Sequence, residues 1–176
     1  MARVWMQFPN PVNEVAARVV AGGVAVVAVL AIALDQPWLS AVLAYGFLAR
    51  VAAGPTLSPL GQLATRVVAP RLSPRPRLVA GPPKRFAQAI GAVLTVAATV
   101  AFFGFGATTV TEVLLGVLVA AATLESALGL CLGCRIFAVL MRWGWVPAEV
   151  CAACADLGGP AAQARRAAAT PVGGGR

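Results

Sequence analysis

The 176-residue chain is 60% hydrophobic and only 11% charged, with a mean hydropathy of +0.84; soluble domains carry about 25% charge, so a disordered or nucleic-acid-wrapping chain is excluded and a membrane protein is expected. Its 14 Lys and Arg against 6 Asp and Glu give +8, which in a membrane protein points to cytoplasmic loops and anionic headgroups rather than to nucleic acid. No histidine is present, which removes Ser-His-Asp and Cys-His catalysis and imidazole metal ligands and leaves four cysteines and a few charges to carry any chemistry.

In chain order, Asn10-Pro11 reads as a helix start before a first apolar span over 15–34, interrupted only by Arg18. Asp35-Gln36-Pro37 breaks the helix, and a second span follows over 38–53, apolar except for Arg50. Both are near the roughly 20 residues that cross about 30 Å of hydrocarbon. Residues 54–85 hold seven of the thirteen prolines with Arg66, Arg71, Arg75, Arg77, Lys84 and Arg85, the signature of a basic cytoplasmic loop lying on anionic lipid. Within it Gly81-Pro82-Pro83-Lys84-Arg85-Phe86 reads as another helix start, with proline tolerated in the first turn. A third span, 86–106, is free of charge. The turn at Gly104 to Thr109 leads to a fourth, 111–130, with Glu112 at its edge and Glu125 inside. Placing the proline-rich loop inside places every Lys and Arg inside, so a multi-pass protein of the cell inner (plasma) membrane with both termini cytoplasmic is expected.

After the fourth span, residues 131–154 carry Cys131-Leu132-Gly133-Cys134 and Cys151-Ala152-Ala153-Cys154, separated by an amphipathic stretch over 136–145. Trp143 and Trp145 fit an inner interfacial belt and Trp38 an outer one. Residues 158–176 are mostly Ala, Gly, Pro and Arg without apolar periodicity and read as a disordered tail. The expected fold is therefore all-α: one membrane domain over 1–157, a four-helix bundle of two helical hairpins.

Shifting the sequence by 75 residues places Gly54 to Pro59 on Gly129 to Cys134 and Arg50 on Glu125, which suggests a parallel internal repeat. A charge inside a span costs at least about 2.5–3.5 kcal/mol, so Arg50 and Glu125 are expected to face the bundle interior and pair. Two alternatives are open: Arg50 snorkelling to headgroups, and a protonated Glu125.

The cysteines form a C-x2-C-x16-C-x2-C pattern on the side where thiols are kept reduced. One reading is thiol chemistry. Cys131 is the attacking thiolate at a restarting helix beside Arg135, Cys134 resolves it, and Cys151 with Cys154 exchanges with a soluble partner. The other is a structural zinc site of Cys131, Cys134, Cys151 and Cys154 in a non-enzymatic scaffold or partner-binding protein.

Asn10-Pro11, Gly54-Pro55-x-x-Ser58-Pro59, Gly81 to Phe86 and Cys131 to Cys134 together resemble a family, a domain of unknown function, of small actinobacterial four-helix integral membrane proteins with a Cys-Leu-Gly-Cys motif. The resemblance runs from about Asn10 to Cys154. It implies no established activity, only a bias toward thiol or sulfur chemistry with a thioredoxin-like or sulfurtransferase partner.

Overall fold

The computed structural model describes residues 11–72 and 78–145. Four helical runs are long and apolar enough to cross a membrane: Glu14–Ala33, Leu39–Leu72, Gly81–Phe105 and Thr108–Leu128. The chain is thus a mostly helical protein with the build of a multi-pass membrane protein. Each run differs from its sequence-based bounds at the ends, for local reasons.

Helix α1 (Glu14–Ala33) starts where the Asn13 side chain accepts the Val15 N–H at 3.0 Å, an N-cap that satisfies one of the helix's unpaired donors. Helix α2 spans Leu39–Ala53 and ends at Gly54, whose φ of +62° suits a residue without Cβ. The proline-rich stretch that follows is not simply a loop. Pro59–Leu63 forms α3, initiated by Ser58, whose hydroxyl accepts the Gly61 N–H at 3.3 Å. A π-helical turn over Ala64–Val68 then runs into α4 (Ala69–Leu72). Ala64 and Ala69 are buried, and this arm packs along α1.

The third span starts five residues before the expected Phe86. Pro82 and Pro83 occupy the first turn of α5 (Gly81–Phe105), where their missing N–H groups would be unpaired anyway. Two-residue strands, β1 (Val12–Asn13) and β2 (Leu78–Val79), pair antiparallel just ahead of α1 and α5, with Val12 opposite Val79. Helix α6 (Thr108–Leu128) ends at Gly129, and α7 (Leu132–Arg142) turns back against α5.

The most extensive packing joins α1 to α6 and α2 to α5, with α5 and α6 next and α1 against α2 much less. The core is built from small residues and hydroxyls, as close packing of helices in lipid favours: Ala28, Ala98, Thr95, Thr111 and Ser40 are fully buried. The Thr111 hydroxyl donates toward the Ala98 carbonyl at 3.1 Å, and the hydroxyls of Thr99 and Ser40 lie 3.2 Å apart. Val26, Val42, Val93, Phe103, Val113 and Val117 point outward, an apolar surface that water would not tolerate in this extent.

Two arginines stitch the bundle at its basic end. Arg18 on α1 donates to the Ser126 and Ala127 carbonyls at the end of α6, at 2.9–3.2 Å. Arg85 on α5 donates to the Val51 carbonyl near the end of α2 at 3.1 Å. Both place a cation on carbonyls that a helix C-terminus leaves free.

Candidate functional site at the cysteine pair

The turn from α6 to α7 is built by its glycine. Gly129 sits at φ +68° and its N–H bonds the Glu125 carbonyl at 3.1 Å, the bond of an αL helix stop, while the Leu130 N–H bonds the Leu124 carbonyl at 3.2 Å. The chain leaves extended through Cys131, and α7 begins with the Arg135 N–H on the Cys131 carbonyl at 3.1 Å. Cys131 is therefore the capping residue of α7, with Cys134 one turn on.

Gly133 lets α7 dock. A Cβ there would come within 2.5 Å of the Ala87 backbone on α5, and the Phe86 and Phe137 rings pack at 5.5 Å between centroids beside it. The glycine between the cysteines thus serves helix contact, and it sets the dithiol against α5. Cys131 is buried and Cys134 half-buried.

The two sulfurs share a proton. The Cys134 thiol donates to the Cys131 sulfur, and chiefly for that reason the Cys131 thiol is lowered to about 7. Burial and Glu125 oppose the shift, and Lys84 assists it. The Cys134 thiol is raised far above the ordinary thiol range, because its proton is the one held between the sulfurs and because it is buried. This asymmetry leaves Cys131 the more readily ionised thiol of the pair near neutral pH.

The cation acting on Cys131 is Lys84 rather than Arg135. Lys84 and Glu125 form a 2.6 Å ion pair whose side chains are 10% and 15% exposed. The expected pair of Arg50 with Glu125 is therefore corrected: Glu125 pairs with Lys84, which the earlier start of α5 carries into the bundle. Arg50, 5% exposed, instead donates from Nε to Gln88 Oε1 at 2.8 Å and from Nη1 to Ser58 Oγ at 3.1 Å, with its guanidinium 4.5 Å from the Phe47 ring centre. Arg50 neither snorkels nor meets a carboxylate among the described residues.

Two cavities reach the dithiol. The outer one, about 390 Å³, is lined by Cys131, Cys134, Lys84, Glu14, Pro83 and the exposed Arg135. The inner one, about 240 Å³, runs inward from Cys131 past Glu125 to Gln88 and Arg50. Sequence reasoning missed Lys84, Gln88 and Ser58 as members of this neighbourhood. For Lys84 a signal existed: a lysine directly after Gly-Pro-Pro falls in the first turn of a helix if the prolines occupy its start.

Cys151 and Cys154 lie outside the described residues, as does the tail over 158–176. Among the described residues no group of three or more His, Cys, Asp or Glu is arranged to hold a metal ion.

A family model described as a domain of unknown function, DUF4395, matches residues 12–142. The chain belongs to the DUF4395 family. The matched residues include all four spans, Lys84, Glu125 and the Cys131 to Cys134 dithiol, and they stop short of Cys151 and Cys154. No curated protein and no solved structure matches the chain.

Proposed function

We propose that this DUF4395 protein resides in the cell inner membrane with both termini cytoplasmic and uses Cys131 and Cys134 for dithiol–disulfide exchange or sulfur handling with a soluble thiol protein, thioredoxin-like or sulfurtransferase in type. The carrying observation is the dithiol itself: two cysteines one turn apart, the second donating to the first, beside a buried lysine and opening on a cavity. In exchange, the Cys131 thiolate attacks one sulfur of a partner disulfide and expels the other as a thiol. Cys134, losing its proton, then attacks the Cys131 sulfur of the mixed disulfide. The partner leaves as a dithiol and the protein holds a Cys131–Cys134 disulfide. Cys151 and Cys154 are the proposed relay that returns the pair to the dithiol by passing the disulfide on to a second cytoplasmic thiol protein. The orientation is supported by charge: the described basic residues gather at the end that carries the dithiol, and the α1–α2 and α5–α6 turns have none.

The fold is proposed to be two parallel copies of one unit, α1–α2 with its α3–α4 arm and α5–α6 with α7. Each first helix packs on the other unit's second helix, and each arm packs on its own first helix. Gly54 and Gly129, 75 residues apart, end α2 and α6 at φ +62° and +68°. Arg18 and Arg85, 67 residues apart, donate to Ser126 and Val51, themselves 75 apart. The eight-residue difference falls at the outer ends of the helices, where α5 and α6 are longer than α1 and α2. Val12 opposite Val79, again 67 apart, would lie on the two-fold axis.

The test is a purified, full-length protein in detergent with each cysteine exchanged for serine in turn. Formation of a mixed disulfide with a partner disulfide should depend on Cys131 alone, and its resolution on Cys134. About one bound zinc per chain, lost when the four thiols are blocked, would replace this reading by the zinc-bearing scaffold.

A further inference from the structure

Counting the buried charges of the bundle leaves one cation over. Arg50 and Lys84 are 5% and 8% exposed, and Glu125, the largely covered carboxylate that acts on both, is taken by Lys84. Arg50 Nη2 is buried with no hydrogen-bond partner among the described residues. A buried charge left unpaired is among the costliest features a fold can hold, more so within a membrane. Arg50 lines a cavity of about 250 Å³ at the basic end of the bundle, whose other walls are largely apolar, including Ala16, Ala17, Val20 and Pro55, with Asn13, Gln88 and Thr65 as neutral polar groups and Lys84, already paired with Glu125, as a second cation.

The repeat proposed above indicates why the cavity is there. Arg50 corresponds to Glu125 at a separation of 75, and the residue of α1 corresponding to Lys84 at a separation of 67 is Ala17. In the second unit the first helix supplies a long side chain of opposite charge to the second. In the first unit it supplies a methyl group, and α1 and α2 pack sparsely. Arg50 therefore borders a cavity at the position where its counterpart meets an ion.

We infer that this cavity binds an oxyanion group, carboxylate, phosphate or sulfonate, carried on a compact apolar body and held by the free Nη2 of Arg50. Nε and Nη1 are already spent on Gln88 and Ser58, which fix the plane of the guanidinium and aim the remaining donors. A planar, delocalised cation suits oxyanions better than an ammonium does. The largely apolar walls favour an amphiphilic anion over bare chloride. Two sources carry this chemistry, a soluble organic acid and a lipid headgroup, and the site as inferred stands whether or not the dithiol is redox-active.

The test uses full-length protein in neutral detergent, stripped of lipid, with thermal unfolding read in hexanoate, inorganic phosphate or neutral hexanamide at ionic strength matched with chloride. Hexanoate or phosphate at about a hundred times its dissociation constant should raise the midpoint by roughly 5–10 °C, and hexanamide should not. Arg50→Gln should weaken anion binding at least about tenfold. Ala17→Glu, which supplies the missing carboxylate from the chain, should raise the midpoint without added anion and abolish the response. It decides the matter if Arg50→Gln does not fold. Exchange of all four cysteines for serine should leave the response intact. Native mass spectrometry of gently purified protein separates the sources: an anionic phospholipid retained by the parent and absent from Ala17→Glu identifies a headgroup, and a response to free anion without retained lipid identifies a soluble acid. A parent that shows neither an anion-specific shift nor retained anionic lipid, or an Ala17→Glu protein that binds as the parent does, overturns the inference.

Discussion

Replacing Cys134 by alanine removes the largest influence on the Cys131 thiol. Cys131 stands at about 7 because the Cys134 thiol donates to its sulfur, so at pH 7 about half of it is thiolate. Without that donor, burial pushes it back to at least the free-thiol value of about 8.5, where only about 3% is thiolate at pH 7. Population alone would slow attack about 15-fold. A more basic thiolate is the better nucleophile, however, and with a Brønsted slope of about 0.4–0.5 a rise of about 1.5 pH units makes each thiolate about 4–6 times faster. The two effects oppose each other. Cys134→Ala should react about 3–4-fold more slowly than the parent at pH 7, match it near pH 8 and overtake it by about fourfold or more above pH 9. The assay is the initial rate of reaction with a small aromatic disulfide from pH 5 to 10, with Cys151 and Cys154 exchanged for serine in both proteins so that only the first pair is read. Parallel profiles that never cross, or a parent midpoint at about 8.5, would refute the hydrogen-bonded dithiol as the source of reactivity.

Glu125→Gln leaves Lys84 and Arg50 buried without a carboxylate and should cost about 3–5 kcal/mol of stability, whereas Lys84→Met leaves Glu125 with Arg50 in electrostatic reach and should cost less; equal losses in detergent unfolding would contradict the charge count. Gly133→Ala drives a Cβ onto the Ala87 backbone and should destabilise the docking of α7 by about 1–3 kcal/mol, read as faster alkylation of Cys131 at fixed pH. A reporter fused after Trp145 should be active in the cytoplasm only; periplasmic activity would reverse the proposed orientation.

The spans could be read from the sequence because lipid imposes a length and a composition that few other environments do, and Val15 to Leu34 or Thr111 to Leu130 satisfy both without help from tertiary structure. The Gly129 break and the pairing of Cys131 with Cys134 could also be read, since both are local. What could not be read were contacts set by register between distant helices. The sequence matches Arg50 with Glu125 because a shift of 75 residues sets them at equivalent positions of the proposed repeat. Equivalent positions related by a two-fold axis lie on opposite sides of it, however, so sharing a depth carries no implication of touching. Lys84 takes Glu125 instead: Gly81 to Phe86 reads as a helix start, but only the structure shows that the turn it adds carries Lys84 into the bundle. The arm over residues 59–72 reads in sequence only as an amphipathic stretch over Leu60 to Val68, and its start at the Ser58 cap is set by the structure.

These errors share a cause that bears on function. Where the two units of the proposed repeat agree, at Arg18 with Arg85 or Gly54 with Gly129, the residues serve the scaffold: they close helix ends and hold first helices to second helices. Where they differ at the basic end, one unit carries groups the other lacks. Thr56 stands where the second unit has Cys131, Pro59 where it has Cys134, Ala17 where it has Lys84, and Arg50 where it has Glu125. Every group implicated in chemistry within the described residues, the dithiol, the lysine beside it and the arginine facing a cavity, falls in the second class. Other departures lie in the core, as at Phe47 with Ala122 or Ala28 with Thr95, where one side chain's volume replaces another's in packing; those at the basic end replace neutral groups by charges and thiols, which supports reading that end as the working part of the proposed repeat.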